Sequence, residues 1–248
     1  MWKKKYISNF IDFDSRRLPK GCHVATMTIY LKIKNKDITI DLQSFYDNIN
    51  EQSPIKYIEY ENKFKNYGFE KKKTKKKKSN FQNSLSLYIK IKNNFIHFNF
   101  FKNGTIHGTG IKCIEDFIDA VVIIKNQITL DLEIDTISIS MININFILPY
   151  VVNKNILKLF LKNKKIPYNI NKTQNISIYF YTTDDKEILI TIHKNSLIIS
   201  KCTCEKDIIE SYSWITNLLH QQKDNLIDIS VEEVLNFSDL IRAHYNGK

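Results

Sequence analysis

Few residues in this 248-residue chain are spaced for covalent chemistry. Asp184-Asp185 is a carboxylate pair, but it falls between strand-like runs at Ile176 to Tyr181 and Glu187 to His193, where Asp serves a turn. Cys202 and Cys204 are one residue apart rather than two. Neither a second pair nor a His-x₃-His stands by, so no metal site is expected. There is no G-x-x-x-x-G-K-[ST] loop for phosphates and no G-x-S-x-G elbow for a nucleophile. The chain therefore reads as a non-enzyme without a cofactor. Cysteines that neither pair nor gather fit a reduced, intracellular protein.

What the residues can do is hold a polyanion. Lys71-Lys-Lys-Thr-Lys-Lys-Lys-Lys78 places seven lysines in eight positions. Such a run repels itself and stays solvated, as a plain loop, a nuclear-targeting segment or a nucleic-acid arm. Residues 1–128 hold 24 Lys+Arg against 12 Asp+Glu, or +12, whereas residues 129–248 hold 13 against 14, or −1. The formal net charge of +11 is thus concentrated in the first half. Lys, Ile and Asn are abundant, and Ala, Arg, Gly and Pro scarce, as an AT-rich genome encodes. The longest uncharged apolar runs, such as Ala120 to Ile124, are far short of the ~18 residues of a membrane helix. The basic start has no apolar stretch after it, so no signal peptide is expected.

Alternation supplies the elements that would present these residues. Val24 to Ile33 sets Ala25, Met27, Ile29, Leu31 and Ile33 against Val24, Thr26, Thr28, Tyr30 and Lys32. Leu85, Leu87, Ile89 and Ile91 oppose Ser86, Tyr88, Lys90 and Lys92. Ile96, Phe98 and Phe100 oppose His97, Asn99 and Phe101. Asn103-Gly104 then turns the chain into Thr105 to Ile111. One sheet face is apolar and needs a cover; the other is polar and aromatic. Helical spacing provides the cover at 114–124, where Phe117, Ile118, Val121 and Val122 recur behind Glu115 and Asp116. A short helix at 41–49 has Asp41 placed as its cap.

The plan then recurs. A strand at 136–148, a helix at 153–163, strands at 176–181, 187–193 and 196–201, and a helix at 205–222 follow. Ile156, Leu157, Phe160 and Leu161 form the apolar side of the first helix; Ile208, Ile209, Tyr212, Ile215, Leu218 and Leu219 form that of the second. Gly104 to Lys112 aligns without a gap on Asn195 to Thr203, an offset of 195 − 104 = 91. The domains read as an N-terminal extension (1–20), a first repeat (21–128) with a basic insert (70–79), a second repeat (129–222) and a C-terminal helical extension (223–248). In the extension Val231, Val234, Leu235, Leu240 and Ile241 mark an amphipathic helix.

Phe101-Lys-Asn-Gly104-Thr-Ile-His-Gly-Thr109-Gly110-Ile-Lys112, followed by Glu115-Asp116, resembles a motif of the TATA-box-binding protein (TBP) family. Cys202 to Leu219 is similar to the closing helix of that family. The basic insert, the segment at Phe81-Gln-Asn-Ser and the AT-rich composition resemble the divergent TBP-like proteins of large DNA viruses. The resemblance spans residues 20–222. It implies an α+β fold of two tandem repeats forming a saddle, one curved antiparallel sheet with helices on the convex face.

It also implies a transcription initiation factor that binds AT-rich promoter DNA through the minor groove. Phe101 matches a wedge driven between base steps, with Phe81 as its partner. Thr109, Val24, Thr26 and Thr28 match groove-facing positions, and Lys90 and Lys112 fall where the family places basic residues. In the second repeat Ile192 stands for the Phe wedge, and Ser200-Lys201 for Thr-Gly. Cys22 stands for the groove-reading Asn of the first strand. The expected partners are double-stranded DNA, a general transcription factor IIB-like protein and RNA polymerase, with no membrane, and the chain is expected to be a monomer. The expected place is intracellular and, for a viral protein, the virus factory, host nucleus or virion. The alternative is a TBP-fold protein-interaction scaffold that has lost specific DNA binding.

Overall fold

The computed structural model describes residues 13–33, 40–70, 84–127, 134–221 and 227–230. In chain order these are β1 (Cys22–Ile33), α1 (Leu42–Asn48), β2 (Ile55–Tyr60), β3 (Lys63–Asn66), β4 (Ser84–Ile91), β5 (Asn94–Phe101), β6 (Thr105–Ile111), α2 (Ile114–Gln127), β7 (Ile134–Ile147), β8 (Tyr150–Val152), α3 (Lys154–Asn163), β9 (Tyr168–Ile170), β10 (Ile176–Tyr181), β11 (Glu187–Ile192), β12 (Ser196–Cys202), α4 (Glu205–His220) and β13 (Ile227–Ser230). The chain divides into two units, one built on Thr26–Met141, the other on Asp14–Ala25 with Ile142 onward. Strands β1 and β7 each contribute residues to both.

In the first unit the strands run β3-β2-β4-β5-β6-β1, all antiparallel. Period-2 patterning does what it must: Met27, Ile29, Leu31, Leu85, Leu87, Ile89, Ile96, Phe98 and Phe100 are buried on one face. Helix α2 packs on β4 and β6, and α1 on β2 and β4. Each large apolar side chain taken fully out of water contributes roughly 1.5–3 kcal/mol, so this row dominates the unit's stability. Gly108 in β6 is what lets α2 come close. A Cβ there would lie 3.0 Å from the Phe117 ring and 3.1 Å from that of Phe98.

In the second unit the order is β7-β12-β11-β10-β9, with α4 on β12 and β11. Strand β13 pairs separately with β8. Ile176, Ile178, Ile188, Ile190, Ile192, Leu197 and Ile199 are fully buried beneath the helical layer. Ile209 leaves the apolar stripe of α4 at 42% exposure, and Ile156 leaves that of α3 at 37%, because each sits past the edge of the contact face. Asn153 caps α3, its side-chain oxygen accepting from the N–H groups of Asn155 (3.1 Å) and Ile156 (3.2 Å). The helix expected in the C-terminal extension lies outside the described residues.

Both long helices start with the same device. Asp116 of α2 and Asp207 of α4 are buried acids, 116 + 91 = 207 in the repeat. Each accepts from a lysine borne by a preceding hairpin: Lys92 donates to Asp116 at 2.6 Å, and Lys186 donates to Asp207. Asp207 also takes the N–H groups of Thr203 (2.7 Å) and Cys204 (3.3 Å). These are donors that a helix start leaves without intrahelical partners.

Candidate nucleic-acid interface

The face of each sheet away from its helices carries the polar and aromatic residues. Cross-strand pairing sorts them into rows in the first unit. One row is Tyr57, Tyr88, His97 and Thr109. The next is Glu59, Ser86, Asn99, His107 and Tyr30. A third pairs Ser84 with Phe101.

His97 organises the first row. Its Nε2 lies 2.7 Å from Ser86 Oγ and its Nδ1 3.4 Å from Thr109 Oγ1. Tyr88 stacks on the imidazole, centroids 4.4 Å apart at 16°. A neutral imidazole donates from one nitrogen and accepts at the other. With the ring neutral, one hydroxyl gives its proton to it, and the other accepts from it and keeps a proton to donate elsewhere. An O–H donor of this kind suits the acceptor atoms, A N3 and T O2, on the floor of an A·T minor groove.

Aromatic rings extend this face on both sides. Phe69, at the base of the lysine-rich insert, stacks on Tyr88 at 4.2 Å. Its backbone is held by Asn66, whose Oδ1 accepts from Phe69 N–H at 2.8 Å. Phe101 sits 4.9 Å from His107, and His107 4.1 Å from Tyr30. Burial holds the His107 imidazole below its ordinary pKa, which favours the neutral ring. Gly110 is required at the end of β6: its φ is +79°, and a Cβ would lie 3.0 Å from Phe95 O. Lys90 and Lys112 are exposed. Val24, Thr26 and Thr28 lie half-buried along β1, and the Thr28 carbonyl accepts from the Ser140 hydroxyl at 3.2 Å.

The second unit repeats the layout with different chemistry. Its rows are Tyr179, Leu189 and Ser200, and Asn169, Ser177, Thr191, Ile198 and Asn145. Tyr88 and Tyr179, Ser86 and Ser177, and Thr109 and Ser200 are each 91 apart. Leu189, however, occupies the place of His97, and the offset there is 189 − 97 = 92. The shift arises in the turn. Five residues, Phe101–Thr105, separate the pair Phe100 and Ile106, but only four, His193–Ser196, separate Ile192 and Leu197.

This corrects one expectation of register. Ile192 is fully buried on the covered face, in the place of Phe100, and cannot act as a wedge in this position. The place of Phe101 belongs to His193, which is half-buried. Its Nε2 and the Asn143 Oδ1 are buried side-chain atoms without a hydrogen-bond partner among the described residues. The residue directly across from Phe101 is Ser84; Phe81 lies outside the described residues.

The same pairing locates the counterpart of Cys22. Ile29 pairs with Gly108, and Ile144 with Ile199, so the first strands are offset by 144 − 29 = 115. Cys22 thus corresponds to Ile137. Both are buried, and burial pushes the Cys22 thiol up to about 11.

Asp184 and Asp185 do occupy a turn. Asp184 pairs with Lys206 at 2.6 Å, and Asp185 has a φ of +58°. Cys202 is fully buried, its thiol pushed up to about 12 by burial. Among the described residues no three His, Cys, Asp or Glu gather as metal ligands. No helix among them is long and apolar enough to cross a membrane. Phe69 is a contributor to the first unit's open face that no sequence pattern marked, since it sits in a loop outside any alternation, and Tyr57 and Glu59 of β2 are two more.

No protein-family model matches the sequence, and a search of curated proteins finds no match. Solved structures do match. Among them, the TBP of Methanococcus jannaschii aligns with a TM-score of 0.55 at 17% identity, over 81% of this chain and 98% of that one. The chain has the α+β fold of a TBP.

Proposed function

We propose that this chain is a TBP-like, non-enzymatic DNA-binding factor for transcription initiation. It lays the open face of its sheet along the minor groove of AT-rich promoter duplex, and recruits a general transcription factor IIB-like protein and RNA polymerase. The observation that carries the reading is the pair of hydroxyls, Ser86 and Thr109, held about His97 on the open face of the first unit, on a TBP fold. Thr26, Thr28 and Val24 offer small side chains to the same groove. Phe101 supplies a wedge at the end of the face. Lys90, Lys112 and the Lys71–Lys78 run supply salt-sensitive phosphate contacts.

The contact is uneven. The first half carries +12 and the aromatic end, while the second carries −1 and has His193 where a wedge would stand. One observation favours the scaffold alternative: Cys22 of the second unit and Ile137 of the first, at the places of the groove-reading residues, are both buried. A gel-shift comparison of AT-rich and GC-rich duplexes at two salt concentrations tests the proposal. Preference for the AT-rich duplex that survives the higher salt supports it. Equal, weak and wholly salt-sensitive binding would favour the scaffold.

A further inference from the structure

Helix α3 of the second unit presents an unusual outer side. Leu157, Phe160 and Leu161 are buried. At 3.6 residues per turn, the opposite side centres on Asn155, Leu159 and Lys162. Leu159 is 63% exposed, and Ile156, one turn before it, 37%. Ordinarily this side of a surface helix is polar. Lysines lie beside the two apolar side chains, Lys158 and Lys162 on the helix and Lys164 and Lys165 just past its end. From Asn153 to Asn175 there is no Asp or Glu to neutralise them. Lys154, which donates to Asn175 at 2.9 Å, is held below its ordinary pKa by burial first and then by Lys158 and Lys194.

The fold does not require this surface. Helix α1, which follows the first strand of the first repeat as α3 follows that of the second, exposes Ser44, Asp47 and Asn48 and has no lysine. The second unit is otherwise near neutral, so the basic, apolar face is a local feature of one helix.

We propose that the outer face of α3 is a docking site for an acidic amphipathic segment of a partner protein. Apolar side chains of that segment cover Leu159 and Ile156, and its carboxylates meet the flanking lysines. Phosphate groups of a nucleic acid would engage the lysines alone and leave both apolar side chains in water. A segment alternating Leu with Glu or Asp uses both kinds of group, and charge complementarity sets its orientation. This site is separate from the open sheet face and stands whether or not that face binds DNA.

The test uses the full chain and a fluorescein-labelled synthetic peptide that forms a helix with Leu on one side and Glu on the other. Fluorescence anisotropy should show saturable binding. Leu159→Asp should weaken it by roughly tenfold or more, as loss of a central apolar anchor does. Lys158→Glu with Lys162→Glu should do the same. Leu159→Asp should leave the thermal midpoint in place, because the side chain is in solvent. Absence of saturable binding would overturn the proposal. So would equal binding of a control peptide with Ser for Leu, or no effect of Leu159→Asp. If Leu159→Asp instead weakens binding to duplex DNA or to anionic lipid vesicles, the face serves that ligand and the proposal is wrong. If Glu232→Lys with Glu233→Lys strengthens peptide binding, the occupant is the chain's own C-terminal segment, which equally overturns a partner.

Discussion

Replacing Asp207 by Ala should be the most damaging single loss of a polar group in the second unit. Asp207 is 3% exposed. It accepts from Thr203 N–H at 2.7 Å, from the Thr203 hydroxyl at 3.2 Å, from Cys204 N–H at 3.3 Å and from the Lys186 ammonium. Ala leaves two backbone donors stranded at the start of α4. A buried donor without a partner costs about 1–3 kcal/mol, and a lost helix cap about 1 kcal/mol. Lys186 is one-third exposed and can turn to water, so its stranding adds little. The expected loss is about 3 kcal/mol.

The matching variant in the first unit, Asp116→Ala, breaks an ion pair whose lysine is 69% exposed, and should cost about 1 kcal/mol. Urea unfolding with linear extrapolation separates the two. The pH dependence has a definite sign. Burial raises the Asp207 pKa, but Lys186 and the Thr203 donors outweigh it, so the carboxyl is held below its ordinary value. The stabilisation is then fully present above the unfolded value near 3.8 and is lost as pH falls through the folded one. The gap between wild type and Asp207→Ala should be level at neutral pH and close in acid. A loss for Asp207→Ala no greater than that for Asp116→Ala, or a gap that widens in acid, would refute the reasoning.

Three further outcomes are expected. Gly108→Ala should destabilise the first unit by roughly 1–3 kcal/mol in thermal or urea melts, because its Cβ meets Phe117 and Phe98 at 3.0 and 3.1 Å. Phe101→Ala should lower duplex affinity by roughly 1–3 kcal/mol in a titration, whereas Ile192→Ala should cost about 2–5 kcal/mol of stability and leave the affinity of the folded protein unchanged. Serines in place of the lysines of Lys71–Lys78 should weaken binding to every duplex alike and flatten the salt slope; an unchanged slope means the run does not touch DNA.

The long, regular strands were legible because their alternation is unbroken. Strand β2 was not. A register shift between Ile55 and Tyr57 buries Tyr57 and Ile58 side by side and breaks the period of two. Strands β8 and β9, of three residues each, are too short to show a period at all. The open face of the first unit followed from the sequence down to Thr28, Tyr88, His97 and Thr109, since pleating alone divides the faces. The second repeat's wedge position did not. The ungapped offset of 91 holds for β6 and β12 but hides a turn one residue shorter, and a one-residue slip in a strand exchanges its two faces. That slip moved Ile192 from the candidate surface into the core. Contacts made across rows, such as Ser86 and Thr109 meeting on one imidazole, depend on register between three strands, which no single strand pattern contains.

Methylation interference on an AT-rich duplex tests the central claim most directly. Dimethyl sulfate marks adenine N3 in the minor groove and guanine N7 in the major groove, and bound and free fractions are separated on a gel. If the open sheet face lies along the minor groove, methylation at adenine N3 should exclude duplexes from the bound fraction, while methylation at guanine N7 should be tolerated. Exclusion by guanine N7 with tolerance at adenine N3 would place the protein in the other groove and contradict the account.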